Sequence, residues 1–166
     1  LNLSKNNSNA AIIGGGDGGV ARELSSKGFD LIDWYELDPE VVKVCQKHLL
    51  KVCGDIKANN KVKTYWGDAF ESIKKVKDSK YDKIFVDLND DQFCIDLAAK
   101  NMKGLKRILK PGGTITAQVG CMSKKPKQVK NWLELLKNNF GNVTLDEIFI
   151  PSFDCKWNFA SSSNKN

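Results

Sequence analysis

Residues 11–20 read Ala11-Ile12-Ile13-Gly14-Gly15-Gly16-Asp17-Gly18-Gly19-Val20. A short apolar run followed by five glycines in six positions is typical of a buried strand, a tight turn and the start of a helix. The glycines let the backbone bend sharply and approach a ligand closely. Asp17 places one carboxylate among them. The stretch therefore predicts a strand–turn–helix unit, and a ligand at the turn that can lie next to a carboxylate.

Strand and helix patterns alternate along the rest of the chain. Strands are predicted at 10–13, 30–36, 62–66, 83–87 and 114–118. Helices are predicted at 18–26, 39–49, 70–76, 95–109 and 129–139, with 51–60 as an irregular connection. Two closing strands, 143–150 and 157–161, are joined by a short link with Pro151 at the bend. The pattern predicts an α/β fold with a doubly wound, mostly parallel sheet and a C-terminal antiparallel hairpin at one edge.

Composition limits the class of protein. With 166 residues, 41% of them hydrophobic and 28% charged, the chain fits one globular domain, expected over residues 10–163 after a disordered or linker segment at 1–9. No apolar run approaches the ~20 residues that span a bilayer, and no signal peptide is recognisable, so we expect a cytoplasmic protein without a membrane partner. The net charge of +6 comes from dispersed lysines, which favours a solvated surface over a nucleic-acid site.

The cysteines and the single histidine argue against a metal site. The five cysteines include no CxxC pair, and an odd count of this kind predicts reduced thiols. His48 lies in a helical pattern and has no companion histidine. We therefore expect no metal and no prosthetic group.

Acidic residues follow each of the first four predicted strands. They are Asp17, Glu36 with Asp38, Asp68, and Asp87 with Asp90 and Asp91. In open α/β sheets, ligands bind outside the carboxyl ends of the strands, so these side chains are expected on one rim. Asp is also common in turns and helix caps for local reasons, which is the alternative for each acid taken singly.

The acids indicate a nucleoside with a cationic tail. Glu36, about 20 residues beyond the glycine turn, has the position of an acid that binds ribose hydroxyls. Asp68-Ala69 is expected beside the adenine. Gly14, Gly16 and Gly19 match the dinucleotide pattern GxGxxG, but Asp17 would repel a pyrophosphate at the helix N-terminus. S-adenosylmethionine and its decarboxylated form fit, and the decarboxylated form suits Asp17 better because it carries no carboxylate.

The same residues resemble the spermidine and spermine synthase family, the polyamine aminopropyltransferases. The resemblance rests on the motif at 12–20, Tyr35-Glu36-Leu37-Asp38, Gly67-Asp68-Ala69 and Val86-Asp87 with Asp90. Leu109-Lys110-Pro111-Gly112-Gly113, Ala117-Gln118, Ile150-Pro151-Ser152-Phe153 and Trp157-Asn158-Phe159-Ala160 match as well. The resemblance implies an S-adenosylmethionine-methyltransferase-like Rossmann fold, and decarboxylated S-adenosylmethionine as co-substrate.

The resemblance also implies a role for each matching residue. Asp87 is the expected catalytic base, and it contacts the acceptor as well. The co-substrate is expected to contact Gly14, Gly16, Asp17, Glu36, Leu37, Asp68 and Ala69. The polyamine, putrescine or spermidine, is expected to contact Asp87, Asp90, Gln118 and Phe153. A homodimer is the assembly that the resemblance implies.

The sequence departs from the family in three places. The family's N-terminal β-domain is expected to be absent. The loop after Asp87 reads Leu88-Asn89-Asp90-Asp91-Gln92-Phe93, shorter than the family's gate and without Gly or Pro. Phe153 stands where the family usually has Tyr. Two alternatives stay open at this point: an S-adenosylmethionine-dependent methyltransferase, and a catalytically degenerate member that binds a nucleoside or a partner chain. A nicotinamide oxidoreductase is disfavoured by Asp17.

Overall fold

The computed structural model describes residues 8–56 and 59–165, and the residues of this part form one seven-stranded sheet flanked by helices. The strand order is β3-β2-β1-β4-β5-β7-β6. The first five strands are parallel, whereas β7 runs antiparallel to β5 and β6 antiparallel to β7. The predicted fold class is therefore confirmed, including the C-terminal hairpin at one edge of the sheet.

The described strands and helices have the following bounds. The strands are β1 (Asn9–Gly14), β2 (Leu31–Glu36), β3 (Val62–Trp66), β4 (Tyr81–Asp87), β5 (Leu109–Cys121), β6 (Val143–Ile150) and β7 (Cys155–Ser163). The helices are α1 (Gly19–Ser26), α2 (Pro39–His48), α3 (Leu50–Cys53), α4 (Ala69–Ile73), α5 (Gln92–Ile108) and α6 (Pro126–Phe140). A single 3-10 turn, Pro151–Phe153, joins β6 to β7.

The central strands are buried on both faces, because successive side chains point to opposite sides of the sheet. Ala11 and Ile13 of β1 pack on the face covered by α4, α5 and α6. Ala10 and Ile12 pack on the face covered by α1, α2 and α3. The apolar run in front of the glycine turn is therefore the centre of two hydrophobic cores, which explains why it decides the fold.

Most element positions agree with the sequence predictions, and the differences have local causes. The connection predicted to be irregular contains α3. This helix ends at Gly54, which has a positive φ. Residues 57 and 58 of that connection, and residues 1–7 of the predicted linker, lie outside the described residues. Helix α5 begins one turn earlier than predicted, because the Asp91 carboxylate caps it by accepting the Cys94 N–H at 2.9 Å.

The prediction of reduced thiols is wrong for two of the five cysteines. Cys121 at the end of β5 and Cys155 at the start of β7 form a disulfide, with their Cα atoms 6.3 Å apart. Cys45, Cys53 and Cys94 are free. The pairing depends on the antiparallel contact of β5 with β7, in which Cys121 faces Trp157, and 34 residues separate the two cysteines in the chain. Cysteine spacing alone does not reveal such a pair.

The order of the strands reverses between β1 and β4. Chain connections lead from β1 outward through β2 to β3 on one side, and from β4 through β5 on the other. A crevice is therefore expected at the carboxyl ends of β1 and β4. Gly14 and Asp87 are paired across these two strand ends, which brings the glycine turn next to the predicted base.

Candidate active site

The glycine turn lies directly on the end of β4. The Gly15 N–H donates to the Asp87 carbonyl at 2.9 Å, and the Trp34 indole N–H donates to the Gly14 carbonyl at 2.8 Å. Gly14 and Gly15 have φ values of +81° and +71°, which L-residues with a side chain rarely adopt. A Cβ at Gly15 would lie 2.9 Å from Asp87 Oδ2. Glycine is therefore required here both by conformation and by the approach of the Asp87 carboxylate.

Asp17 is exposed at the mouth of the crevice. Its Oδ1 accepts the N–H of Gly19, the first residue of α1, at 2.8 Å. This local bond to the N–H two residues further along the chain is one that Asp commonly makes in turns, and it fixes the carboxylate just before the helix. The side chain also lines both cavities of the site described below, so its position suits contact with a ligand cation.

Glu36 is buried at the end of β2, with 8% of its surface exposed. Its Oε1 accepts the Asp38 N–H at 3.0 Å, whereas Oε2 faces Gly16, where a Cβ would lie only 3.2 Å away. Leu37, the next residue, is 71% exposed and lines the same cavity. One carboxylate oxygen is held by the chain and the other is directed toward the glycine turn, the arrangement that recognition of a ribose hydroxyl requires.

Asp68 and Ala69 occupy the start of α4. The Asp68 Oδ1 accepts the Phe70 N–H at 2.7 Å and the Glu71 N–H at 3.3 Å, so Asp68 caps this helix. Both residues line the cavity that contains Glu36. The structural role of Asp68 as a cap and its predicted place beside the nucleoside therefore coexist.

Asp87 is the most perturbed of the predicted site acids. Burial at the end of β4, with smaller contributions from the negative charges of Asp17 and Glu36, raises the pKa of Asp87 to about 6. A carboxylate with this pKa is ionised at neutral pH but accepts a proton far more readily than an ordinary Asp. The acids that follow β1 and β2 thus act electrostatically on Asp87 across the crevice.

In the described residues the crevice consists of two adjoining cavities. The first, of about 630 Å³, contains the glycine turn, Glu36, Leu37, Asp68 and Ala69. The second, of about 720 Å³, is enclosed by α1, β4, β5 and the β6–β7 connection. Four residues line both cavities: Asp17, Asp87, Asn89 and Gln118. The first cavity contains the acids that are predicted to bind a nucleoside. The predicted base therefore lies at the boundary between this cavity and the second one.

The second cavity combines acidic side chains with aromatic walls. Asp90 in the loop after β4 lines it, together with Phe153, Trp157 and Phe159. The Phe153 and Trp157 rings pack with their centroids 4.5 Å apart. Aromatic walls suit the methylene chain of an aliphatic ligand, and carboxylates suit its ammonium groups. The predicted acceptor residues Asp90 and Phe153 are thus brought together.

Gln118 is engaged by protein groups on both ends of its amide. Its Nε2 donates to the Leu88 carbonyl, and its Oε1 accepts the Trp157 indole N–H at 2.7 Å. Gln118 therefore lines the second cavity while it holds the loop after Asp87 and the ring of Trp157 in place. The predicted contact of Gln118 with the substrate stays a prediction, because the residue lines both cavities.

Several cavity residues were not singled out by the sequence analysis. Phe93 at the start of α5 is 73% exposed and lines the first cavity, and Val41 of α2 also lines it. Asn89 lies between the two cavities, and Glu23 of α1 lines the second. Three of the cavity residues, Phe93, Asn89 and Trp157, fall in or beside recognised motifs. Tertiary packing decides which of their side chains face a cavity, so the motifs alone do not identify them.

Residues 8–56 and 59–165 contain neither a metal-binding cluster nor a membrane-spanning helix. No group of three or more His, Cys, Asp or Glu side chains is arranged to hold a metal ion. Among the helices of that part of the chain, none is long and apolar enough to cross a membrane.

Fold and site together define an α/β domain whose acidic crevice opens at the carboxyl ends of β1, β2 and β4. The family model for the spermine/spermidine synthase domain matches residues 1–166, and the chain belongs to this family. The predicted family is thereby confirmed.

Relatives and solved structures agree with this assignment. The chain is 34% identical to polyamine aminopropyltransferases of Prochlorococcus marinus strains MIT 9215 and MIT 9301, covering 100% and 96% of this chain and 61% and 58% of theirs. It spans about six tenths of the length of these relatives. A spermidine synthase in complex with the transition-state analogue AdoDATO superimposes with a TM-score of 0.84 at 20% identity, over 95% of this chain and 55% of that one. The Thermotoga maritima spermidine synthase gives 0.83 at 21%, over 96% and 54%. The two structures corroborate the fold.

Proposed function

We propose that this chain carries the aminopropyl-transfer site of a polyamine synthase. In this proposal residues 10–163 form the unit that binds decarboxylated S-adenosylmethionine, and the acceptor is a polyamine such as putrescine or spermidine. The observation that carries the proposal is the place of Asp87, at the boundary of two cavities and beside Asp17 and Glu36. A transfer between two substrates needs a group that reaches both.

The first cavity supports binding of the nucleoside co-substrate. Glu36 Oε2 is available to the ribose hydroxyls, and Asp68 with Ala69 lies beside the adenine. Asp17 attracts the ammonium group of the aminopropyl tail. S-adenosylmethionine would bring its own carboxylate toward Asp17, and like charges at such a distance are destabilising. The acid at the helix start therefore favours the decarboxylated substrate and disfavours the methyltransferase alternative.

The second cavity supports binding of the acceptor amine. Asp90 attracts an ammonium group, and the rings of Phe153 and Trp157 cover the methylene chain. One solved structure with the same fold supports this proposal, since it is a spermidine synthase bound to AdoDATO, a transition-state analogue. The curated relatives are named polyamine aminopropyltransferases.

The reaction requires that the attacking amine first loses a proton, because polyamines are protonated at neutral pH. The Asp87 carboxylate accepts that proton, and its raised pKa of about 6 makes it a better base than an ordinary Asp. The free amine nitrogen then attacks the methylene carbon attached to the sulfonium sulfur. A new N–C bond forms and the C–S bond breaks. The electron pair stays on sulfur, which leaves methylthioadenosine as a neutral thioether, and the proton passes from Asp87 to solvent.

The charge distribution also favours the transition state. As the C–S bond breaks, the positive charge moves from the sulfonium sulfur to the attacking nitrogen near Asp87, and the acids at the rim hold the remaining ammonium groups of both substrates in line. The family resemblance supports two further parts of the proposal, a cytoplasmic location and a homodimer. Light scattering after size-exclusion chromatography tests the dimer.

Turnover tests the proposal. The protein is incubated with decarboxylated S-adenosylmethionine and with putrescine or spermidine, and methylthioadenosine release is followed by mass spectrometry. The expected result is one methylthioadenosine released for each amine lengthened by an aminopropyl group. Asp87→Asn is expected to lower kcat by about 100-fold or more, the size of a typical general-base contribution. Methyl transfer from S-adenosylmethionine would establish the methyltransferase alternative. Nucleoside binding without any turnover would establish the degenerate binder.

A further inference from the structure

The acid proposed to hold the acceptor already holds an ammonium group of this chain. Lys125 Nζ lies 3.0 Å from Asp90 Oδ2 and 3.5 Å from the Asp90 main-chain carbonyl. The Lys125 side chain is 43% exposed and that of Asp90 is 24% exposed. The carboxylate thus faces the second cavity while a lysine neutralises it.

Backbone geometry fixes both partners of this pair. Lys125 directly precedes α6, and its N–H donates to the Cys121 carbonyl at 2.8 Å, which closes the turn after β5. Asp90 lies over Gly120 of β5, where φ is +92° and a Cβ would lie 3.3 Å from Asp90 Cβ and Oδ2. The side chain of Asp90 can rest there because position 120 is a glycine.

A lysine side chain and an acceptor amine offer Asp90 the same chemical group, a primary ammonium on an aliphatic chain. Exchange of one for the other therefore preserves the charge-assisted hydrogen bond to the carboxylate. The exposed fraction of the Lys125 side chain also lets it move into solvent, and a partly exposed ion pair contributes little stability to resist the exchange.

We propose that Lys125 competes with the acceptor amine for Asp90 and so sets the affinity of the second cavity for that amine. Its ammonium occupies Asp90 in the substrate-free protein and yields that carboxylate to an ammonium group of the incoming amine, so Lys125 raises the KM for the amine. The inference rests on the proposed function, since it takes the second cavity to be the acceptor site. If Lys125 served only to hold the loop after Asp87 in place, its side chain would lower the KM for the amine.

The test compares Lys125→Gln with Lys127→Gln in the protein saturated with methylthioadenosine. Lys127 is exposed in the first turn of α6, so its substitution removes the same charge without touching Asp90. Calorimetric titration with putrescine and spermidine is expected to show about threefold to fivefold tighter binding for Lys125→Gln, the fold change that a partly exposed ion pair gives. Lys127→Gln is expected to bind within about 1.5-fold of the parent, as a screened surface charge does.

Two further measurements separate charge competition from a general change of the site. In the Asp90→Asn background, Lys125→Gln is expected to lose its effect, because no carboxylate is left to compete for. In turnover, Lys125→Gln is expected to lower the KM for the amine in the same ratio and to leave kcat unchanged. If Lys125 had only a structural role, Lys125→Gln would instead lower kcat and raise the KM.

The outcomes distinguish this inference from the proposed function. Unchanged or weaker amine binding by Lys125→Gln overturns the inference, even where the parent protein transfers aminopropyl groups. Tighter binding that depends on Asp90, in a protein without transfer activity, supports the inference and removes the proposed function. Absence of amine binding by both proteins overturns both.

Discussion

Substitution of Asp87 by Asn is expected to stabilise the fold above pH 6. Burial and the charges of Asp17 and Glu36 raise the pKa of Asp87 from its ordinary 3.8 to about 6. The folded chain therefore holds this proton more tightly than the unfolded chain does. The protonated side chain contributes stability that is complete below about pH 4 and is lost as the pH rises through about 6.

The size of the effect follows from the shift. A difference of about two pKa units corresponds to about 3 kcal/mol in the free energy of unfolding. Asn has nearly the same shape and carries no charge, so it avoids the cost of a buried carboxylate at high pH. The free energy of unfolding of Asp87→Asn minus that of the parent should therefore rise by about 2 kcal/mol between pH 4.5 and pH 8, since about 1 kcal/mol of the effect is already present at pH 4.5.

Urea unfolding followed by circular dichroism at a series of pH values measures this difference. Asp146→Asn is the matched control, because Asp146 is an exposed carboxylate on β6, where substitutions change stability by at most about 0.5 kcal/mol. A difference for Asp87→Asn that stays flat across the pH range would refute the account of Asp87 as a base tuned by burial. So would a difference that falls with pH.

Three further substitutions have defined outcomes. Glu36→Gln should weaken methylthioadenosine binding by about 10-fold in calorimetry, because a charged acceptor of ribose hydrogen bonds is lost. Gly16→Ala should also weaken methylthioadenosine binding, because the new Cβ would lie 2.8 Å from Val41 Cγ1 and 3.2 Å from Glu36 Oε2. A Kd equal to that of the parent would contradict this geometry. Tyr81→Phe should lower the free energy of unfolding by about 1 to 3 kcal/mol in urea, because the Tyr81 hydroxyl donates to the fully buried Asp33 at 2.6 Å.

The sequence was sufficient to predict the parts of the fold that depend on local pattern. The glycine turn, the centres of the five parallel strands and the acids that follow strands one to four stand where apolar runs and turn residues indicated. The fifth strand is longer than predicted, because β5 begins at Leu109 and includes the predicted turn at 111–113. These features are readable because a strand end and the residues after it are neighbours in the chain. Once the strands are parallel, their carboxyl ends must share a rim.

Contacts between distant parts of the chain were not predictable in the same way. The Cys121–Cys155 disulfide depends on the antiparallel contact of β5 with β7, and the Gln118–Trp157 hydrogen bond depends on the same contact. The partner of Asp90, Lys125, belongs to a turn 35 residues away and follows no recognisable motif. Sequence patterns identified the acid but gave no information about the group that neutralises it.

Asp68 shows how a single residue can satisfy two interpretations. The sequence offered a cap or a ligand contact, and the structure provides the cap through the N–H groups of Phe70 and Glu71 while it keeps the residue in the cavity wall. Asp17 is similar, because its local hydrogen bond from the Gly19 N–H uses one carboxylate oxygen. Local and functional roles of strand-end acids are therefore compatible.

The central claim is that Asp17 selects a nucleoside with a cationic tail and no carboxylate. Calorimetric titration of the parent and of Asp17→Asn with decarboxylated S-adenosylmethionine and with S-adenosylmethionine tests it most directly. The account predicts that the parent binds the decarboxylated form at least about 10-fold more tightly, a difference of about 1.4 kcal/mol, and that Asp17→Asn loses most of this preference. Equal binding of the two nucleosides by the parent, or tighter binding of S-adenosylmethionine, would contradict it.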